Sequence, residues 1–394
     1  MIGENAIMRK IDLEKTYKYC CGCGLCNNYI EGNYDKRGFF RPNKKEMDKF
    51  DCSLCYCNSQ VEKISDGLWG KYERLYYGYS NNKRHRKLGS SGGCLTEICA
   101  YLLKTKKVDY IVQTGKSEKS AIKTKVVYSH SIKDVEESCG SRYAASSPLI
   151  DIISKLKDDK NYAIIGKPCD IAVLRKFLDN NTEITNIKFL LSFFCGGTPS
   201  YQANRNLLNK MEIEEKSLVD LTYRGNGWPG LTTAIDKLGN KRQMQYEESW
   251  GKVLGRDLQE ICRFCWDGVG ASADISCGDG WYIVNGKPSF AEAEGRNVIF
   301  ARNKKGDTLL KEMRRDGYIK ILEAPINDLI SMQPGQYMRK TAMFAKILAM
   351  RLMKKSTPDY KLKDLVTFAK KNSIIVNLKM FGGTIKRIRR GKIT

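Results

Sequence analysis

Cysteine is the residue type in this sequence that points most directly to chemistry. The 394-residue chain has 15 cysteines and only two histidines. The first group lies in the segment CCGCGLC, where Cys20, Cys23 and Cys26 follow the spacing C-x2-C-x2-C. Three thiolates at that spacing can wrap one [4Fe–4S] cluster, because the tight loop directs all three sulfurs inward. The pattern therefore predicts an iron–sulfur site.

A second group follows in CSLCYC, with Cys52, Cys55 and Cys57. Position 30, where a bacterial ferredoxin would have its next cysteine, is Ile30, so this second group either completes the first cluster or begins another. The alternative is zinc, because each group contains a C-x2-C knuckle. Zinc needs only four thiols, and seven lie in residues 20–57, so the pattern favours iron–sulfur over zinc.

Four further cysteines are dispersed along the chain. Cys262 and Cys265 form a C-x2-C pair in CRFC, whereas Cys169 and Cys195 each follow a predicted strand. Loops that follow neighbouring strands converge at one edge of an α/β sheet, and four thiolates there would make a full cubane set. Buried free cysteines are the alternative on spacing alone, because cysteine is often a core residue.

Three polar or glycine-rich segments could bind a nucleotide. SSGG opens a predicted helix, where free N–H groups bind phosphate, although an N-cap without a ligand has the same pattern. GSRY offers a cation, a hydroxyl and an aromatic face, and GNGWPG offers a tryptophan that could stack on a ring. The candidate residues are Ser90, Ser91, Gly92, Gly93, Ser141, Arg142, Tyr143 and Trp228.

Three regions are predicted from the patterning. Residues 1–70 are rich in cysteine and too small to hold much of a core without cofactors. Residues 71–334 repeat strand, loop and helix, including strands at 162–165 and 187–195 and a helix at 171–178, which indicates a mixed α/β domain. Residues 335–394 form a basic C-terminal tail.

Charge is concentrated near the C-terminus. The formal net charge is +24, and residues 331–394 hold 16 Lys and Arg against Asp359 and Asp364. Such a segment suggests an anionic partner such as a membrane surface, or a solvated helix that aids solubility. No run of about 18 apolar residues and no signal peptide is recognised. We therefore expect a cytoplasmic protein, with peripheral membrane contact through the tail.

Seven segments, in order, resemble the coenzyme F-420 hydrogenase/dehydrogenase beta-subunit family. No one of them is specific alone, but the ordered set is. They are SSGG at residues 90–93, GSRY at 140–143, GKPCDIAVLRKF at 166–177, FFCGGTPS at 193–200, RGNGWPG at 224–230, CRFC at 262–265 and ADISCGDGW at 273–281. The cysteine-rich start is similar to the ferredoxin-type module fused to many members.

The resemblance implies an α/β fold with an FAD in the central domain and a [4Fe–4S] cluster beside it. It implies that the cluster is held by Cys169, Cys195, Cys262 and Cys265. Gly166, Lys167 and Asp170 lie in the same matching loop, so Lys167 and Asp170 are expected, with Arg142, to hold phosphate or tune the flavin.

These observations together predict an iron–sulfur flavoprotein oxidoreductase. Clusters pass single electrons and a flavin accepts one or two, so a ferredoxin-like donor could supply a two-electron reduction of an organic substrate. A glycan-related substrate is consistent with a protein that lies at a membrane surface. A zinc-ribbon protein that binds nucleic acid is the alternative, but it leaves the central loops unexplained. A further alternative is a non-catalytic subunit that delivers electrons.

Overall fold

We analysed a computed structural model, which describes residues 11–156, 158–391 and 393. Numbered in chain order, the strands are β1 Gly32–Tyr34, β2 Phe40–Pro42, β3 Arg74–Ser80, β4 Tyr110–Ser117, β5 Ser120–Ser129, β6 Tyr162–Gly166, β7 Ile187–Phe193, β8 Leu218–Thr222, β9 Thr232–Asp236, β10 Lys241–Met244, β11 Ile275–Asp279, β12 Ile283–Val284, β13 Lys287–Pro288, β14 Asn297–Ala301 and β15 Ile319–Glu323.

The α-helices are α1 Leu13–Lys18, α2 Tyr56–Ser59, α3 Lys83–Leu88, α4 Cys94–Lys104, α5 Ile132–Glu137, α6 Ile152–Lys155, α7 Pro168–Asp179, α8 Tyr201–Lys210, α9 Lys304–Arg315, α10 Asp328–Met332, α11 Pro334–Thr341, α12 Met343–Leu352, α13 Leu362–Ala369 and α14 Ile374–Arg389. Within this described part of the chain, no helix is long and apolar enough to cross a membrane.

An eight-stranded mixed sheet forms the centre of the fold, in the order β15-β3-β14-β11-β7-β6-β4-β5. The strands β4, β6, β7 and β11 are parallel neighbours, and the outer pairs are antiparallel. Ile164 and Leu191 in the central strands are fully buried, as expected for parallel strands that are covered on both faces. The predicted mixed α/β class is confirmed.

The turn from β6 into α7 brings polar residues to the carboxyl edge of this sheet. Pro168 occupies the first turn of α7, where its missing N–H is not needed. The Asp170 carboxylate accepts a hydrogen bond from the Lys167 backbone N–H at 3.0 Å and so closes the turn. Because β4, β6, β7 and β11 are parallel, the loops after them meet at one edge.

The cysteine-rich segment packs against the central domain through a shared hydrophobic core. Tyr19 contacts Phe264 edge to face at 5.8 Å between ring centroids, and the Tyr360 hydroxyl donates to the Phe264 carbonyl at 2.6 Å. The same core includes residues of α7 and α12. The small size of the segment is therefore offset by apolar surface that is supplied by the rest of the chain.

Part of the basic C-terminal segment faces inward. The Lys340 ammonium donates to the Leu68 carbonyl, and burial lowers the pKa of Lys340 to about 7. Lys346 on α12 is half-buried, and desolvation lowers its pKa to about 7. The basic side chains of this segment are thus divided between Lys340, which contacts the body of the protein, and others that face solvent.

His85 joins three helices near the SSGG segment. Its Nδ1 lies 2.7 Å from a carboxylate oxygen of Glu97 on α4, and its Nε2 lies 3.2 Å from one of Glu136 on α5. The hydrogen bond to Glu97 is the main cause of a raised His85 pKa, since burial acts in the opposite direction. The charged ring therefore stabilises the contact between α3, α4 and α5.

We expect the stability contributed by His85 to be lost as the pH rises. The contribution is full below the unfolded-state pKa of about 6.5 and disappears as the pH passes the raised folded-state value. The free energy of unfolding lost in His85→Gln should therefore be larger at about pH 6 than at about pH 9, by on the order of 1 kcal/mol. Urea denaturation measures it. The exposed His130, changed to Gln, is the control, and an equal loss at both pH values for His85→Gln would contradict the assignment.

Candidate functional site

A cavity of about 600 Å³ opens at the carboxyl edge of the parallel strands. Its walls combine the helix-start loop before α4, the loop before Tyr143, the turn after β6, the loop after β7 and α11. Nine of the predicted cofactor-binding residues line it: Ser90, Ser91, Gly93, Ser141, Arg142, Tyr143, Gly166, Lys167 and Asp170.

The loop before α4 needs glycine at Gly93. Its φ is +74°, and a Cβ atom there would lie 2.6 Å from the His85 carbonyl oxygen. A side chain would therefore be strained and would collide with backbone. Ser90 stands just before this turn, and its buried hydroxyl has no hydrogen-bond partner among the described residues.

Arg142 lines the cavity and is held in place by backbone carbonyls. Its terminal nitrogens donate to the Leu221 carbonyl at 3.1 Å and to the Ala121 carbonyl at 2.6 Å. Its Nε is buried and has no partner in the part of the chain that the structure describes. Buried donors are normally satisfied, so Arg142 and Ser90 together fit an anionic ligand such as a phosphate group.

Lys167 and Asp170 form a buried ion pair at the cavity wall. The Lys167 ammonium lies 2.8 Å from Asp170 Oδ2 and donates to the Ser146 hydroxyl at 2.9 Å. Burial raises the pKa of Asp170 to about 6, although the Lys167 charge opposes that shift. The pair is placed to hold charge beside a bound ligand.

The two remaining predicted cofactor residues lie behind the wall. Trp228 stacks on Trp281 with 4.6 Å between ring centroids and 8° between planes. Trp281 lines the cavity, whereas Trp228 is behind it. A Cβ atom on Gly92 would lie 2.7 Å from the Asn297 backbone nitrogen, so Gly92 permits a close backbone approach. Trp228 and Gly92 therefore pack against residues of the cavity wall and do not line the cavity themselves.

A buried ion pair fixes this aromatic wall. The Arg224 guanidinium donates to both carboxylate oxygens of Asp279 at 2.9 Å, and Trp228 Nε1 donates to the same carboxylate at 2.8 Å. Only 3% of the Arg224 side chain is exposed. A bidentate pair in this setting holds both partners in one geometry.

We expect Asp279→Asn to lower the free energy of unfolding by about 3 kcal/mol, because it leaves the Arg224 charge buried and unpaired. Urea denaturation measures this loss. Glu215→Gln, which breaks the half-exposed Arg205–Glu215 pair, is the matched control and should cost less than about 1 kcal/mol. Equal losses in the two variants would contradict the role of Asp279.

Cys195, Cys262 and Cys265 come together next to the cavity. The Thr198 backbone N–H donates to Cys262 Sγ at 3.3 Å, and the Tyr56 hydroxyl lies 3.1 Å from Cys265 Sγ. Burial raises the pKa of all three thiols, to about 12 for Cys195, and the nearby Arg339 cation opposes the rise. Thiols in this setting are favoured as thiolates when a metal neutralises them.

Two side chains of helix α11 contact the backbone of Cys195. The Cys195 carbonyl oxygen accepts hydrogen bonds from Gln336 Nε2 at 2.9 Å and from Arg339 Nη1 at 3.1 Å. Both residues line the cavity. No sequence motif marks these two residues, because they lie in a segment whose clearest feature is its positive charge.

The N-terminal cysteines surround a second, much smaller cavity of about 30 Å³. Its lining includes Cys20, Cys21, Cys23, Cys26, Cys52 and Cys55. Cys57 is buried in the same hydrophobic cluster as Cys21, Cys23 and Cys52. The two cysteine groups of the sequence are thus folded onto one another, and the number of thiols around this space fits a cluster.

Cys169 lies between these two thiol groups in the chain and has an unexpected neighbour. Its Sγ, the Sγ of Cys21 and a carboxylate oxygen of Asp170 all lie within 4.8 Å of one another. Cys21 was outside the sequence-predicted ligand set, because C-x2-C-x2-C skips it. Only the folded contact between the N-terminal loop and α7 identifies it.

Comparison with known proteins now decides the family. Two regions match the family described as "Coenzyme F420 hydrogenase/dehydrogenase, beta subunit": residues 75–154 match its N-terminal part, and residues 159–326 match its C-terminal part. The chain belongs to this coenzyme F420 hydrogenase/dehydrogenase beta-subunit family. Its members are oxidoreductase subunits, and the family resemblance predicted from the seven segments is confirmed.

Three F420-associated relatives were compared with the chain. It is 26% identical over 241 residues to the F420-dependent formate dehydrogenase subunit beta of Methanocaldococcus jannaschii, covering 58% of this chain and 56% of that protein. It is 26% identical over 253 residues to the F420-dependent formate dehydrogenase 1 subunit beta of Methanococcus maripaludis, covering 62% and 60%. The coenzyme F420 hydrogenase subunit beta of Methanothermobacter thermautotrophicus is 21% identical over 257 residues, covering 62% and 82%.

The chain therefore spans less than two thirds of the length of both formate dehydrogenase subunits. A chain from the F420-reducing [NiFe] hydrogenase complex of Methanosarcina barkeri superposes with a TM-score of 0.55 and 20% identity, over 75% of this chain and 98% of that one. This likeness shows a shared fold. The family match itself covers neither the cysteines of residues 20–57 nor Arg339.

Proposed function

We propose that this F420 hydrogenase/dehydrogenase beta-subunit family member is an iron–sulfur flavoprotein oxidoreductase. It moves electrons from a ferredoxin-like donor to an organic substrate. The observation that carries the proposal is the cavity of about 600 Å³, whose wall combines Cys195 with the unpartnered donors of Ser90 and Arg142. A redox-active cluster and a nucleotide cofactor could thus be held side by side.

The residues present fit both cofactors. Ser90 Oγ and Arg142 Nε would donate to the phosphates of an FAD, and the glycine turn at Gly93 lets the backbone approach. Cys169, Cys195, Cys262 and Cys265 would hold one cluster, and the thiols of residues 20–57 another. When bound, these groups supply one-electron transfer by the cluster and one- or two-electron chemistry by the flavin.

The protein's own side chains would set the conditions for that chemistry. The Lys167–Asp170 pair and Arg339 place charge beside the cavity and the three thiols. Trp250 packs on Tyr143 with 4.6 Å between ring centroids, and both rings line the cavity, where their apolar surface would limit the access of water. Limited access favours electron transfer to the intended acceptor over side reactions.

Anaerobic reconstitution tests the proposal. The protein is loaded with iron, sulfide and FAD, and bleaching of the flavin absorbance is followed after mixing with a reduced ferredoxin. We expect retained flavin and rapid bleaching. A protein that retains no flavin after gel filtration, or whose bound flavin is not reduced, would overturn the proposal.

A second candidate function is electron delivery within a larger complex. The relatives are named as subunits of F420-dependent formate dehydrogenases and of an F420 hydrogenase, which supports a protein partner for this chain. Turnover by the isolated chain with a reducible substrate separates the two candidates. The glycan-related substrate, the ferredoxin-like donor and the absence of a nucleic-acid partner remain predictions from the sequence.

Peripheral membrane contact has one structural observation in its favour. Ile374, Ile375 and Leu378 at the start of α14 are each more than 60% exposed, and Lys379 is exposed on the same helix. Apolar side chains beside exposed cations are typical of helices that lie at an anionic membrane surface.

We expect the double variant Ile374→Ser/Leu378→Ser to bind vesicles of anionic lipid about tenfold more weakly than the parent chain, because it removes two apolar anchors. Vesicle pelleting measures binding. Vesicles of neutral lipid are the control and should retain little of either protein. Equal binding of both proteins to anionic vesicles would contradict membrane contact by α14.

A further inference from the structure

The two thiol groups of the protein meet where the cysteine-rich segment packs on the central domain. Cys21, which lines the small cavity, and Cys169, a predicted ligand of the central cluster, have Sγ atoms within 4.8 Å of one another. Tyr56, which lies between the last two cysteines of CSLCYC, makes a second contact, because its hydroxyl lies 3.1 Å from Cys265 Sγ. A side chain from one thiol group thus reaches a predicted ligand of the other.

The Tyr56 hydroxyl is placed to donate its proton to this sulfur. Its oxygen accepts a hydrogen bond from the Asp267 backbone N–H at 3.1 Å. A phenol has a single O–H proton, and that proton is left for Cys265. As a metal ligand Cys265 is a thiolate, which has no proton and can only accept. The contact is then a hydrogen bond from a neutral hydroxyl to a charged sulfur, and Tyr56 is only 2% exposed there.

The cysteine-rich segment also fixes the backbone that carries Cys265. Gln60, four residues after Tyr56, accepts a hydrogen bond from the Trp266 backbone N–H at 3.1 Å and is itself 1% exposed. Three successive residues, Cys265, Trp266 and Asp267, therefore contact the cysteine-rich segment. Packing on both sides holds the hydroxyl and the sulfur at a constant distance, as a second layer of residues around a metal centre must do to tune it.

A hydrogen bond to a ligand sulfur changes the reduction potential of an iron–sulfur cluster. Uptake of one electron makes a cluster more negative, so a proton donor at the sulfur stabilises the reduced state more than the oxidised state. In a buried place the effect is larger than in water, because the effective dielectric constant is lower. The Tyr56 hydroxyl would therefore raise the potential of a cluster that is bound by Cys265.

We propose that Tyr56 is a positioning residue that donates a hydrogen bond to Cys265 and thereby raises the reduction potential of the central cluster. The inference rests on the proposed function, since it takes Cys265 as a ligand of that cluster. One electron, supplied by the ferredoxin-like donor, passes from the N-terminal thiol group to the central one, and Tyr56 keeps its proton. The cysteine-rich segment thus makes the transfer of electrons into the central domain more favourable.

Redox titration of the anaerobically reconstituted full chain, followed by electron paramagnetic resonance, tests this role. We expect Tyr56→Phe to keep its iron and acid-labile sulfide and to lower the potential of the central cluster by about 59 mV, a tenfold change in the equilibrium constant for uptake of one electron. The same shift is expected in a Cys26→Ser background, which identifies the cluster concerned. Tyr360→Phe is the matched control and should leave the potential unchanged, because that buried hydroxyl donates to the Phe264 carbonyl and not to a sulfur.

Other results would overturn the role of Tyr56. Equal potentials in Tyr56→Phe and the parent protein would do so while leaving the clusters and the flavin in place. Equal shifts in Tyr56→Phe and Tyr360→Phe would come from looser packing, not from the bond to sulfur. Loss of iron and sulfide in Tyr56→Phe alone would show that the hydroxyl holds the cluster and does not tune it. A parent protein that takes up no iron and sulfide would contradict the proposed function as well, so the two failures are distinguishable.

Discussion

Replacing Cys262 and Cys265 together by serine is expected to remove the iron of one cluster, about four atoms per chain. It is also expected to slow reduction of the flavin by about 10- to 100-fold, as loss of a metal centre's support does in general. The Thr198 N–H and the Tyr56 hydroxyl contact these two sulfurs, so the surroundings are already arranged for thiolates. Iron analysis and stopped-flow absorbance measure the two effects.

A buried cysteine outside the thiol groups provides the control for iron. Cys99 lies on α4, where it also lines the large cavity, and Cys99→Ser should keep the iron even if it costs stability. Unchanged iron and unchanged flavin reduction in the Cys262/Cys265 variant would show that this pair is structural. The central redox assignment would then fail.

Changing Cys26 to serine is expected to separate electron entry from flavin binding. Cys26 lines the small N-terminal cavity, and burial raises the pKa of its thiol, so a metal is needed to hold it as a thiolate. We expect iron to fall by about four atoms per chain while flavin content stays the same. Reduction of the flavin by reduced ferredoxin should slow by at least about tenfold.

A strong chemical reductant completes this experiment. It can reach the flavin through the large cavity, so it should reduce Cys26→Ser and the parent protein at similar rates. If ferredoxin reduces the variant as fast as the parent protein, electrons do not enter at the N-terminal cysteines. If zinc falls in place of iron, the N-terminal cysteines form a zinc knuckle.

Local sequence patterns were enough to predict the strand–loop–helix elements of the large cavity, although not its α11 wall. The strand predicted at residues 162–165 and the helix after it correspond to β6 and α7, because an apolar run ends at Gly166 and Pro168 can start a helix. Loops after parallel strands meet at one sheet edge, so nine of the predicted cofactor residues line one space. In each case the signal lies within about ten residues.

Contacts between distant segments could not be predicted in this way. Cys21 meets Cys169 only because the N-terminal loop packs on α7, and spacing within CCGCGLC does not favour Cys21. Arg339 contacts the Cys195 carbonyl, although its local sequence is only part of a basic segment. Trp228 was expected at the ligand, but Trp281 separates it from the cavity. Each of these positions depends on tertiary packing, which has no short-range signature.

The most direct test of the central claim is a cofactor inventory of the chain purified without oxygen. The visible spectrum, iron, zinc, acid-labile sulfide and released flavin are measured on one sample. The account predicts a brown protein with iron and sulfide in similar amounts, and about one flavin per chain after loading with FAD. A colourless protein that holds zinc alone and takes up neither iron–sulfur clusters nor flavin would contradict it.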